Sequence, residues 1–141
     1  MLSVLAIAHE TKLVSGLERF SLKCINILDS TSRHPLEALD LQLRVANQRI
    51  VEDRGFRIRC EMDVNEFVSV LEIGATVSAG ANDRSRSGIL VSMDAIKSAK
   101  DSAFWPDLEQ QVENAHLVLK ALFFDVLSAA TVESLGPVWS E

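Results

Sequence analysis

Residues 56–78 read FRIRCEMDVNEFVSVLEIGATVS, and the meaning of this stretch decides the fold. As far as residue 62, Phe56, Ile58, Cys60 and Met62 alternate with Arg57, Arg59 and Glu61. A period of two is the mark of a half-buried strand. Such a strand must pair its backbone groups. The best candidate partner is the short apolar run Ile89-Leu90-Val91. An extended connector is the competing reading. Beyond residue 62 the pattern changes. Asp63 and Glu66 have the spacing of a capping box. Phe67, Val68, Leu71 and Ala75 follow at helical spacing, which predicts a helix over 64–78. Val70, Ile73, Thr76 and Val77 are β-branched and Gly74 is a weak helix former, so propensity pulls against that reading.

The segments on either side look helical. Over 2–28, Leu13, Leu17, Phe20, Cys24 and Ile27 recur at spacings of four and three. Pro35 suits the start of a second helix. There Leu36, Leu39, Leu43, Ala46 and Ile50 form a stripe, and Gly55 stands where a C-terminal cap is wanted. Residues 80–88 are polar and glycine-bounded, a loop. Residues 93–104 read as a short helix that ends before Pro106. The last helix, 106–130, opens with Pro106, Asp107 and Glu109, all suited to a helix N-terminus. From Leu117 to Ala130 its only polar side chains are Lys120, Asp125 and Ser128. A helix that is apolar nearly all round is buried in its own fold or against a partner. Gly136-Pro137 closes it.

The expected fold is therefore all-α: a bundle of four or five helices, with a short extended segment or two-stranded ribbon near 56–62 and 89–91. Residues 1–135 form one helical domain and 136–141 a C-terminal tail. A length of 141 residues fits one domain. With 48% apolar residues the chain can build a core. The net charge of -6 disfavours nucleic acid as a partner. Residues 1–60 carry a balance of +2 and residues 61–141 of -8. This fits an acidic C-terminal half or head-to-tail contact between two copies. Cys24 and Cys60 have no metal-like spacing, and two reduced thiols in a cytoplasmic protein is the favoured reading over a disulfide. No run of about 20 apolar residues is present, so no membrane span is expected.

Candidate chemistry is sparse. His9-Glu10-Thr11-Lys12 resembles the phosphoacceptor region of histidine kinases and histidine phosphotransfer domains, where a helix displays a His beside a basic residue. The resemblance implies a phosphoacceptor at His9 on a signalling bundle. Leu13 and Val14 stand where those families usually place proline or glycine, and Leu13 also breaks H-E-x-x-H. Glu113-x-x-His116 has di-iron carboxylate spacing, but neither Ala6 before His9 nor Thr31 before His34 supplies the second motif. Glu109, Glu113, His116 and Lys120 then read as a solvated helix face. Arg54, Arg57 and Arg59 form a candidate anion patch. No nucleophile elbow, phosphate-binding loop or dinucleotide fingerprint appears. No metal and no cofactor are expected.

The functional expectation is a non-enzymatic helical interaction module: a self-associating adaptor, small chaperone or regulatory protein whose partner is protein, above all itself as a homodimer. The expected contact residues lie on two flanks of the last helix, Leu117, Phe124 and Leu127 on one and Leu119, Phe123 and Val126 on the other. The alternative is the signalling bundle with phosphate on His9.

Overall fold

A computed structural model describes residues 7, 10–12, 17–29, 35–49, 56–79, 86–99 and 106–137. It overturns the helical bundle. Four long strands form one antiparallel sheet: β1 (Arg19–Asp29), β4 (Arg57–Val64), β5 (Phe67–Ala79) and β6 (Arg86–Ser98), in the order β1-β6-β5-β4. Between β1 and β4 lie a 3-10 turn (Pro35–Ala38) and a small hairpin of β2 (Arg44–Val45) and β3 (Gln48–Arg49). After the sheet come a long helix, α1 (Leu108–Val126), and a short one, α2 (Ala129–Leu135).

The strand expected over 56–62 is present as β4, but its partner is β5. The run Ile89-Leu90-Val91 instead lies in β6, between β5 and β1. The helix expected over 64–78 is the strand β5. Val64 and Phe67 face each other across Asn65 and Glu66, and Asn65 takes the left-handed backbone (φ 55°) that asparagine tolerates. The capping-box spacing is therefore the coincidence of a strand end and a turn. Because β5 carries apolar residues on both faces, with Val68 and Val70 on the face opposite Phe67, Leu71 and Ile73, its run lacks clean alternation, and such a run cannot be told from a helix by period alone. Its β-branched side chains are the better guide.

Of the helix expected over 2–28, Ile7 and Glu10 are helical, with Thr11 N donating to Ile7 O at 2.9 Å. Residues 2–6, 8–9 and 13–16 lie outside the described residues, and the second half is the strand β1, for a related reason. Phe20 and Cys24 are four residues apart, a spacing that keeps one face in a helix and in a strand alike. Phe20, Leu22 and Cys24 in fact alternate with Ser21 and Lys23 along β1. The helix expected from 93 is the second half of β6. The stripe from Leu36 to Ile50 is divided: Leu36 and Leu39 are buried in the core, whereas Ala46 and Asn47 form a two-residue turn with φ of 49° and 61°. Two positive φ values match the twist of a tight hairpin. A β-bulge in β5 sets residues 75–76 against Ile89 and shifts the register from there on.

One face of the sheet is covered. Ile89, Val91, Met93 and Ala95 of β6 are buried there with Phe67 and Ile73 of β5 and with Ala115, Val118 and Leu119 of α1. The helix runs back along β6 towards its start. Near its N-terminus Leu108 packs with Leu17, Phe20 and Ala99. At its C-terminus Leu127 joins Leu36 and Leu39. The expected helix through residue 130 is broken at that point. Leu127 is extended (φ -79°, ψ 145°) and bridges Leu39, with Asp40 N donating to Val126 O (2.8 Å) and Ser128 N to Ala38 O (2.9 Å). Ser128 then caps α2 through Thr131 N, and Gly136 ends it at φ 56°. No helix among the described residues is long and apolar enough to cross a membrane.

Candidate functional site

The covered face is not covered evenly. Register places Val64, Met62, Cys60 and Ile58 of β4 on the same side as Phe67, Ser69, Leu71 and Ile73 of β5. Helix α1 lies over β6 and β1, two and three strands away from β4. Val64 and Phe56 still pack against the core, but Ile58 and Met62 stay half-buried outside it and Cys60 is exposed. An apolar strip on β4 thus faces the helix side at a distance from the helix itself.

Where that strip meets the helix there is an open cleft of about 540 Å³. Val64, Asn65, Glu66 and Phe67 of the β4–β5 turn form one wall, and Asn114, Leu117, Val118 and Ala121 of α1 the other. Leu117 is 52% exposed and Ala121 is exposed, although both lie on an otherwise packed helix. A floor and walls of apolar side chains with a few polar groups at the rim suit an apolar side chain or a short extended peptide.

The rim is a polar network that ties the turn to the helix. Lys97, at the end of β6, donates through Nζ to Glu66 Oε2 at 2.5 Å and to Gln111 Oε1 at 2.8 Å. Asn114 Nδ2 donates to Glu66 Oε1 at 3.4 Å, and Gln110 Nε2 donates to Asn114 Oδ1 at 2.9 Å. The Lys97 ammonium also sits 5.7 Å from the centre of the buried Phe67 ring, within cation–π range. The hydrogen bond from Lys97, with its charge and a hydrogen bond from Asn114, holds the Glu66 carboxyl below its usual range against the opposing effect of burial. A fixed turn thus stands at one side of an apolar slot.

The six helix residues singled out in the sequence separate into different surroundings. Leu117 lines the cleft. Leu119 and Leu127 are buried in the core, whereas Phe123, Phe124 and Val126 are half-buried against it. Phe123 and Phe124 meet edge to face at 5.5 Å. His9 and Arg54 lie outside the described residues. Arg57 and Arg59 are on the opposite face of β4, each answered by a carboxylate: Arg57 Nε donates to Glu72 Oε1 at 2.7 Å, and Arg59 lies 2.6 Å from Glu61. His116, Glu113, Glu109 and Lys120 are all exposed on α1. Among the described residues no three His, Cys, Asp or Glu side chains converge as metal ligands. Cys24 and Cys60 are both free thiols, placed on the two outer strands.

Sequence reasoning missed Glu66, Lys97, Gln111 and Asn114 as a group. They come from three elements, and only the turn at Asn65-Glu66 left a local signal, an asparagine between two apolar runs. Comparison with protein-family models, with characterised proteins and with solved structures finds no match in any of the three.

Proposed function

We propose that this chain is a non-enzymatic interaction module that self-associates and takes up apolar stretches of other polypeptides, in the manner of an adaptor, small chaperone or regulatory protein. One observation carries the proposal: on the helix-facing side of β4, half-buried Ile58 and Met62 and exposed Cys60 lead along the strand towards Val64, in a cleft whose other wall includes Leu117 and Val118. An open cleft with apolar walls and a polar rim suits a surface that meets a partner. The partner chemistry that fits is a polypeptide with apolar side chains at alternate positions. Its side chains can enter the cleft from the helix side of β4, away from the charged face of that strand.

Fluorescence anisotropy of a labelled, permanently unfolded polypeptide tests this. Wild-type protein is expected to bind it. Met62→Asp and Leu117→Asp are expected to weaken binding at least tenfold with the far-ultraviolet circular dichroism unchanged, since both side chains are partly or largely exposed. Absence of binding by the wild type, or equal binding by both variants, rejects uptake through this site. Light scattering of the same samples reads self-association, and a monomer at high micromolar concentration rejects that half of the proposal.

A further inference from the structure

The sheet has two outer strands, and they are built differently. On the face away from α1, β4 presents Arg57, Arg59, Glu61 and Asp63, an unbroken row of charge, with Arg57 and Arg59 already paired to Glu72 and Glu61. Charge on an outer strand discourages pairing with another sheet. Strand β1 presents Arg19, Ser21, Lys23, Ile25 and Ile27 on that face, so its charges give way to two successive apolar positions, with Ile25 62% exposed. It is 11 residues long, and among the described residues no strand pairs with its outer edge. A long edge with an exposed apolar side chain near its middle is a template for a further strand.

We propose that the outer edge of β1 is the self-association surface, and that β1 pairs antiparallel with β1 of a second copy, centred on Cys24. This rests on the self-association reading above and assigns its location. The register follows from the sequence of the strand. Two-fold antiparallel pairing about a residue keeps even positions on the helix side in both copies, so the covered faces join. Only centring on Cys24 uses all 11 residues. It sets Phe20 opposite Leu28, which extends the core row, and sets Arg and Asp, at positions 19 and 29, opposite each other at both ends. Centring on Lys23 would oppose two lysines, and centring on Ile25 would shorten the ladder. Arg19 and Lys23 make no ion pair among the described residues, unlike the arginines of β4. The result is one eight-stranded sheet with both copies of α1 on the same side, leaving both β4 strips open at the far edges.

Each outer strand carries one cysteine near its middle, Cys24 on β1 and Cys60 on β4, so the chain reports its own interface. Directly opposed positions place Cβ atoms about 4.5–5.5 Å apart, within reach of a short bismaleimide. Under reducing conditions Cys60→Ser is expected to give a covalent dimer and Cys24→Ser none. Ile25 faces Lys23 of the second copy in this register, so Ile25→Lys opposes like charges twice. It should raise the dimer dissociation constant at least tenfold, and adding Lys23→Glu should restore it. A dimer that cross-links through Cys60 only, or that is indifferent to Ile25→Lys, overturns the β1 assignment while self-association stands. A monomer by light scattering at high micromolar concentration removes both.

Discussion

Among single residues, Glu66 is the most instructive. Its carboxylate is not deeply buried, yet Lys97 and Asn114 both donate to it and hold its pKa down in the folded state. A carboxyl whose folded pKa is depressed contributes stability that is present above its unfolded pKa and is lost as pH falls through the folded value. Urea midpoints measured from neutral pH down to about pH 3 should therefore show wild type above Glu66→Gln at neutral pH, with the two converging in acid. Parallel curves would mean that the network contributes nothing beyond its geometry. Ser69 offers the opposite case. Its hydroxyl is fully buried on the helix side of β5, with no hydrogen-bond partner among the described residues. An unpaired buried hydroxyl costs about 1–3 kcal/mol. Ser69→Ala should leave the urea midpoint unchanged or raise it, by up to about 1 kcal/mol once the small lost volume is set against the relieved hydroxyl. A clear loss of stability would reveal a partner for that oxygen.

At the level of elements, the β4–β5 turn shows how little sequence separates a helix start from a hairpin. Asn65 sits at φ 55°, where a residue with a Cβ is strained unless its side chain is compensated locally. Asn65→Gly should hold or slightly raise stability, and Asn65→Ala should cost about 1 kcal/mol, read by thermal or chemical denaturation. Equal values for the two would show that the backbone has relaxed to another turn. The same turn explains what was legible. The strand β4 was readable because it lies at an edge, half wet, so that Ile58, Cys60 and Met62 alternate with charges. Strands β5 and β6 are buried on both edges and partly on both faces, and their apolar runs satisfy helical spacing as well as strand spacing. Phe20 and Cys24 mislead in the same way. Helix α1 was readable from Pro106, Asp107 and Glu109, but its end was not, because a long-range bridge from Leu39 to Leu127 stops it and no local residue does. Of the site, Leu117 was legible from the excess apolar surface of α1. The Glu66–Lys97–Gln111 network was not, because it exists only after three elements meet.

In the molecule as a whole, one core joins parts that are far apart in the chain. Leu36 and Leu39, from the segment between β1 and β4, are buried in the same cluster as Leu119 and Leu127 of the C-terminal region and Ile89 and Val91 of β6. The backbone bonds Asp40 N to Val126 O and Ser128 N to Ala38 O fasten that segment under the end of the helix. A residue in a connection ordinarily tolerates truncation, since connections are exposed and adaptable. Leu39 is 4% exposed and Leu119 is 1% exposed, and both lose core contacts when cut back. Leu39→Ala should therefore behave like Leu119→Ala, each costing about 2–5 kcal/mol. Leu117→Ala, on the open cleft, should cost well under either. Urea unfolding followed by circular dichroism measures all three, and hydrogen exchange of the β6 amides measures whether the loss at Leu39 is global. Slower exchange retained in β6 of Leu39→Ala would mean that the segment unfastens by itself. Loss of protection there in step with the midpoint would establish that sheet, helix and connection unfold as one unit, so that any ligand of the β4 cleft, at free concentration L, would stabilise the entire chain by RT ln(1 + L/Kd).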